Sequence, residues 1–110
     1  MATVYKVLGQ SAPTVTTNVD LYTVPAATSA VISTLNIANL TGDNVTFSVY
    51  VRVAGAAAAG LNTLEKNVTL TGNGIFSATQ GLTLAATDVI TISTGTANAL
   101  SFQAFGSEIS

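Results

Sequence analysis

The chain has no histidine, no cysteine and no tryptophan, and each absence closes off a kind of chemistry. Histidine is the side chain that most often serves as general base and metal ligand near neutral pH. Without cysteine there is no thiolate nucleophile, no thiolate-held zinc or iron–sulfur cluster, and no disulfide to brace the fold. The redox compartment is therefore not written in the sequence. Charge is scarce as well: only 7% of the 110 residues are Asp, Glu, Lys or Arg, and the net charge is −2. Lys6, Arg52 and Lys66 are isolated from one another, whereas phosphate binding needs clustered cations, so nucleic acid is not an expected partner. No apolar run approaches the roughly 20 residues that cross a bilayer. The start Met1–Lys6 lacks the basic stretch and apolar core of a signal peptide. No membrane partner is expected either.

What remains is Thr, Ser, Asn, Val, Ala and Leu, with 48% hydrophobic residues and a mean hydropathy of +0.55. A soluble monomer of this size usually carries about a quarter charged residues. A neutral, hydroxyl-rich surface fits a protein covered by neighbouring subunits, where charge would have to be desolvated. The plainer alternative is a robust free-standing β-domain.

The hydropathy pattern has period two from end to end. Thr3–Leu8 alternates, and Pro13 marks the turn after it. Val19–Val24 is a short strand closed by Pro25. In Ala30–Asn39 the residues Val31, Ser33, Leu35 and Ile37 are predicted to face one way, and Ile32, Thr34, Asn36 and Ala38 the other. Leu40–Asn44 reads as a hairpin loop. The strongest strand is Val45–Val53, where Val45, Phe47, Val49, Val51 and Val53 form an unbroken apolar row opposite Thr46, Ser48, Tyr50 and Arg52; Val49 and Val51 are predicted to lie in the core. Ala54–Gly60 is a small-residue segment too short and too glycine-flanked for a helix. Further strands are predicted in Leu61–Leu70, Ile75–Thr79, around Leu82–Leu84, in Val89–Ser93 and in Ala99–Phe105, the last pairing with its predecessor. The expectation is an all-β single domain over residues 1–110. It is an antiparallel β-sandwich of about eight strands, either jelly roll or Ig-like Greek key.

No residue announces a reaction. The carboxylates Asp20, Asp43, Glu65, Asp88 and Glu108 each sit beside a turn or terminus, where turn chemistry and solvation account for them better than a glycosidase pair does. Asp88 is the most specific, placed before a strand so that its side chain can accept a backbone N–H from the turn. Asp43-Asn44 offers too few oxygens for calcium. Gly72-Asn73-Gly74 and Gly55…Gly60 lack the Lys-Ser or Lys-Thr of a phosphate loop. Asn39, Asn44 and Asn67 begin glycosylation triplets that chance explains in a Thr-rich chain. The aromatics read as packing groups; a sugar-binding face around Tyr50 is the minor alternative. No catalytic, cofactor-binding or metal-ligating residue is assigned, and an enzyme is not expected.

Several segments carry a resemblance: Met1–Gln10 (MATVYKVLGQ), Leu21–Ala26 (LYTVPA), Ser33-Thr34-Leu35 with Asn39, Gly81–Val89 (GLTLAATDV) and Ser101–Ile109 (SFQAFGSEI). Together these are similar to a family of small β-sandwich virion structural proteins of tailed phages, especially cyanophages. The correspondence is weakest over Val53–Thr71. The resemblance implies a non-enzymatic particle component assembled in the host cytoplasm. The first expectation is a head decoration (cement) protein that stabilises the capsid by bridging subunits. Its expected partners are other copies of itself, with a homotrimer favoured, and virion proteins such as the major capsid protein. Alternatives are a tail, neck, baseplate or fibre-base component, and a carbohydrate- or receptor-binding module on the virion surface. Two segments are the expected contacts. Ala2, Thr3, Val4 and Tyr5 have β-propensity without a tight hairpin partner, so they either join a neighbour's sheet edge or pair within their own sandwich. Ala56, Ala57, Ala58 and Ala59 present methyl groups on a backbone that permits close approach.

Overall fold

The structure is a computed structural model and describes residues 2–79 and 81–110. Among the described residues nine strands follow in chain order: β1 (Thr3–Ser11), β2 (Val19–Thr23), β3 (Ser29–Asn39), β4 (Val45–Arg52), β5 (Thr63–Leu70), β6 (Ile75–Ala78), β7 (Leu82–Leu84), β8 (Val89–Thr94) and β9 (Leu100–Ile109). They form two antiparallel sheets, one ordered β1-β9-β3-β6 with β7 also on β3, the other β2-β8-β4-β5. The sheets bury one face each against the other, as an all-β sandwich requires. Strands β6 and β7 pair with successive parts of β3 and so act as one interrupted strand. With that pair counted as one, the order is that of an eight-stranded jelly roll, which decides between the two expected topologies.

Two sequence expectations are corrected by this topology. Leu40–Asn44 joins β3 to β4, which lie in different sheets, so it is an arch across the sandwich and not a hairpin loop. Likewise β9 does not pair with β8; its neighbours are β1 and β3. In a jelly roll most connections cross between layers, so that consecutive strands bury their apolar faces against each other. Gly, Asp and Asn serve an arch as well as a hairpin, and the turn residues alone cannot distinguish them.

A third correction concerns β3. Its buried residues are Ala30 and Ile32, then Leu35, Ile37 and Asn39, so the inward set changes parity half-way. The cause is a bulge: Ile32 faces Gly106 and Thr34 faces Phe105, leaving Ser33 as the extra residue. Its hydroxyl donates to the Phe105 carbonyl at 3.1 Å. On the other side of β9, β1 has its own irregularity between Val7 and Gly9 at the same height. The break between β6 and β7 also falls opposite Ser33 and Thr34. One band of bulges therefore crosses the whole sheet and increases its twist there.

The core is built on Phe47, Val49, Ile90, Ile92, Ile37, Leu100 and Phe102, all essentially buried. The Phe47 ring sits 5.1 Å from that of Phe76 and 6.5 Å from that of Phe102, in tilted and edge-on arrangements. Val49 is fully buried, as predicted, but Val51 is only half-buried. Val53 has left the strand for a 3₁₀ turn and is 66% exposed. The opposite row is not a solvated face, since Ser48 and Tyr50 are buried too. The bulged β5 folds Lys66 over the Tyr50 ring at 5.9 Å and donates the Asn67 N–H to the Ser48 hydroxyl at 3.0 Å.

Asn39, at the end of β3, joins two crossings. Its amide nitrogen donates to the carbonyls of Asp43, Leu70 and Thr71, and its oxygen accepts from the Thr41 backbone and hydroxyl. Among the described residues no buried side-chain nitrogen or oxygen lacks a hydrogen-bond partner. Gly9 is required where β1 passes over β2: a Cβ there would lie 2.3 Å from the Leu21 carbonyl oxygen.

Candidate interaction surfaces

Most charged side chains serve the fold. Arg52, on the outer face of β4, donates to Asp20 at 3.0 Å and to the Thr91 hydroxyl at 3.1 Å. Its other nitrogens reach the carbonyls of Ala56 at 2.7 Å and Gly55 at 3.0 Å. Asp88 accepts the Ala85 N–H at 2.9 Å, which is the turn role expected of it, and also the Ala54 N–H at 2.9 Å. Glu108 pairs with Lys6 at 2.8 Å and accepts the Tyr22 hydroxyl at 2.5 Å. These bonds, Lys6 first, hold the Glu108 carboxyl below the ordinary glutamate range. Burial, followed by the bond and charge of Glu108, pushes the Tyr22 phenol far above the ordinary tyrosine range. No group of three or more Asp or Glu side chains gathers at one place among the described residues. Three carboxylates are thus tied to cations, hydroxyls or backbone N–H groups.

The Ala-rich loop owes its shape to these groups. Arg52 holds the Gly55 and Ala56 carbonyls, and Asp88 holds the Ala54 N–H. Asn62 accepts the Ala59 N–H at 2.8 Å and donates to the Ala57 carbonyl at 3.0 Å, while Thr63 donates to the Ala59 carbonyl at 2.8 Å. With the backbone tied down by polar side chains, Ala56–Ala59 are left exposed. Beside them stand Val53, and Leu61 at 99% exposure. Val51, Val53, Ala56, Leu61 and Leu64 line an apolar hollow of about 460 Å³. Ala54 and Gly55 take positive φ, so part of the turn is built from left-handed residues. The four alanines were legible as an apolar segment. Leu61 was legible as the apolar end of that loop; Val53 was not, because strand periodicity assigned it to β4.

Ala2–Tyr5 fall on and just before β1. This segment pairs with the chain's own β9: Thr3 faces Ile109, Val4 faces Glu108, and Tyr5 faces Ser107. The segment has no hairpin partner beside it, as the sequence suggests; its partner within the sandwich is the long C-terminal strand. β1 is nevertheless the outermost strand of its sheet, and its second edge is open. Tyr5 is 84% exposed, and Val4 and Val7 are about half exposed. On the outer face, Tyr5, Val7, Val31 and Phe105 border a shallow hollow of about 660 Å³.

The register places both surfaces at one end of the sandwich. Thr3, Ile109 and Ser29 share a level in one sheet, and Thr23, Val89 and Arg52 share one in the other. The short Val24–Thr28 crossing joins the two levels. The surfaces are not adjacent, because β1 packs beside β2 whereas the loop springs from the β4–β5 edge. Tyr50 offers no stacking platform, being 8% exposed beneath Lys66. No family model matches the chain, and no curated protein or solved structure is significantly similar to it.

Proposed function

We propose that this chain is a non-enzymatic structural subunit of a tailed-phage virion, a decoration protein that binds the head and stabilises it by bridging subunits. The observation that carries the reading is the Ala54–Leu61 loop. Exposed apolar groups sit there on a backbone fixed by Arg52, Asp88, Asn62 and Thr63. A contact surface ordered before binding loses little conformational entropy when it docks. Small side chains let a partner's backbone come close, and the half-lined hollow beside Leu61 accepts an apolar anchor. The scarcity of charge agrees with this, since few groups need desolvation in a crowded lattice. The sandwich itself gives a rigid body suited to repetition by symmetry, although the same architecture hosts many unrelated functions.

The experiment replaces Ala56–Ala59 with Ser-Glu-Ser-Lys and measures retention on purified particles that lack the protein. The expected result is a folded variant that no longer sediments with the particles. Retention equal to that of the parent overturns the assignment of this loop as the attachment surface. Retention confined to tails or necks points instead to a tail or neck component.

A further inference from the structure

We propose that two copies of this chain join through their β1 edges, so that the β1-β9-β3-β6 sheet runs unbroken across a two-fold axis. The four sheet edges are not alike. β2 is five residues long, bulged between Asp20 and Tyr22, and carries a charge. β5 has two register shifts, Glu65 and Lys66, and Asn67 at φ 48°. β6 and β7 are four and three residues long. These are the usual devices that discourage edge pairing: brevity, bulges and charge. β1 is nine residues long, and its stretch Thr3–Val7 is regular. Its sole charge, Lys6, lies on the inner face and is neutralised by Glu108.

The hydrogen-bond phase of the edge is fixed by β9. Ala2 and Ser110 exchange both of their backbone bonds at 2.9 Å. The antiparallel alternation then makes Val4–Glu108 and Lys6–Gly106 the bonded pairs. The N–H and C=O groups of Thr3, Tyr5 and Val7 point away from β9, toward the open edge. Their side chains also share the outer face of the sheet. An antiparallel copy centred on Tyr5 satisfies all three residues at once, with Tyr5 opposite its own equivalent and Thr3 opposite the copy's Val7. The aromatic and β-branched pairs that result are favourable in antiparallel sheets. The charges agree as well: Lys6 comes opposite the copy's Val4, so no like charges meet across the axis. A five-residue edge buries less than the roughly 1,200 Å² of a stable free dimer. The pair is therefore weak in dilute solution and is strengthened when both copies are held on one surface. An isologous contact of this kind closes as a dimer. A three-fold ring through β1 would need a second, different open edge, and the other edges described are the blunted ones.

The absence of cysteine makes the test clean. Tyr5→Cys and, as a control that is more exposed still, Leu61→Cys are oxidised at submillimolar protein and followed on non-reducing gels. A bonded pair sets the two Cα atoms about 5.5 Å apart, within reach of a disulfide. Tyr5→Cys is expected to crosslink to a dimer roughly tenfold faster or more, because pairing raises the local thiol concentration. Equal rates, or faster crosslinking of Leu61→Cys, overturn the proposal. Tyr5→Pro deletes an N–H that β9 does not use, so melting should be retained and sedimentation at high concentration should show only monomer. A dimer unchanged by Tyr5→Pro overturns the proposal too. If Tyr5→Pro does not fold, Tyr5→Lys, which sets like charges opposite each other, gives the same reading. The proposal does not depend on the virion role, which particle retention tests separately.

Discussion

Replacing Asp88 with alanine withdraws a carboxylate that two segments share, and the cost follows from the bonds. Asp88 is 7% exposed; one oxygen accepts the Ala85 N–H that closes the turn before β8, the other the Ala54 N–H of the Ala-rich loop. A buried donor left without a partner costs about 1–3 kcal/mol, and bonds to charged acceptors lie in the upper part of that range. The Ala54 donor sits at a half-covered site and can recover part of its loss from water. Asp88→Ala should therefore cost about 2–4 kcal/mol, which lowers the melting temperature of a domain this size by roughly 10–25 °C. Asp88→Asn keeps one acceptor and loses the other, so it should fall about midway. Thermal denaturation by circular dichroism gives the stability. Amide hydrogen exchange at Ala54 and Ala85 shows whether the loss is local. A change below about 0.5 kcal/mol, with exchange at Ala54 unaltered, would refute the claim that Asp88 fixes the loop.

Three further outcomes follow from the packing and the ion pairs. Val49→Ala should cost about 1–3 kcal/mol in urea denaturation, and Val51→Ala clearly less, because Val51 is only half-buried; equal costs would contradict the assigned burial. Glu108 is held below its ordinary range by Lys6 and Tyr22, so its stabilising contribution is complete above the unfolded-state value and disappears as pH falls through the folded-state value. A pH series of melting temperatures should lose this acid-side dependence in Glu108→Gln. Gly9→Ala should destabilise by more than a surface substitution, since the new Cβ meets the Leu21 carbonyl oxygen of β2. A melting temperature equal to that of the parent would mean β1 does not pass so close.

The sequence alone carried the strand content well, because period-two alternation is a direct image of a half-buried sheet. It also carried Asp88, whose position before a strand is a local signal. What it did not carry is non-local. The parity change in β3 depends on Ser33 being extruded opposite Phe105, and nothing in AVISTLNIAN marks that serine over its neighbours. The separation of β8 from β9 is likewise a property of the whole topology; Thr94–Ala99 would serve a hairpin equally well. β1 found its partner at the far end of the chain, beyond any short-range pattern. Arg52 looked like the polar tail of a strand, and only the folded turn shows it gripping Gly55 and Ala56. The apolar alanines were visible from composition, but their fixed presentation was not.

The central claim is that this chain is a head-bound structural subunit, and the most direct measurement is a particle map together with its copy number in purified virions. The account predicts density for the sandwich at many symmetry-related sites on the outer capsid surface, with the Ala54–Leu61 end against the shell. Absence of the chain from purified particles, or a few copies confined to the neck or tail, would contradict it.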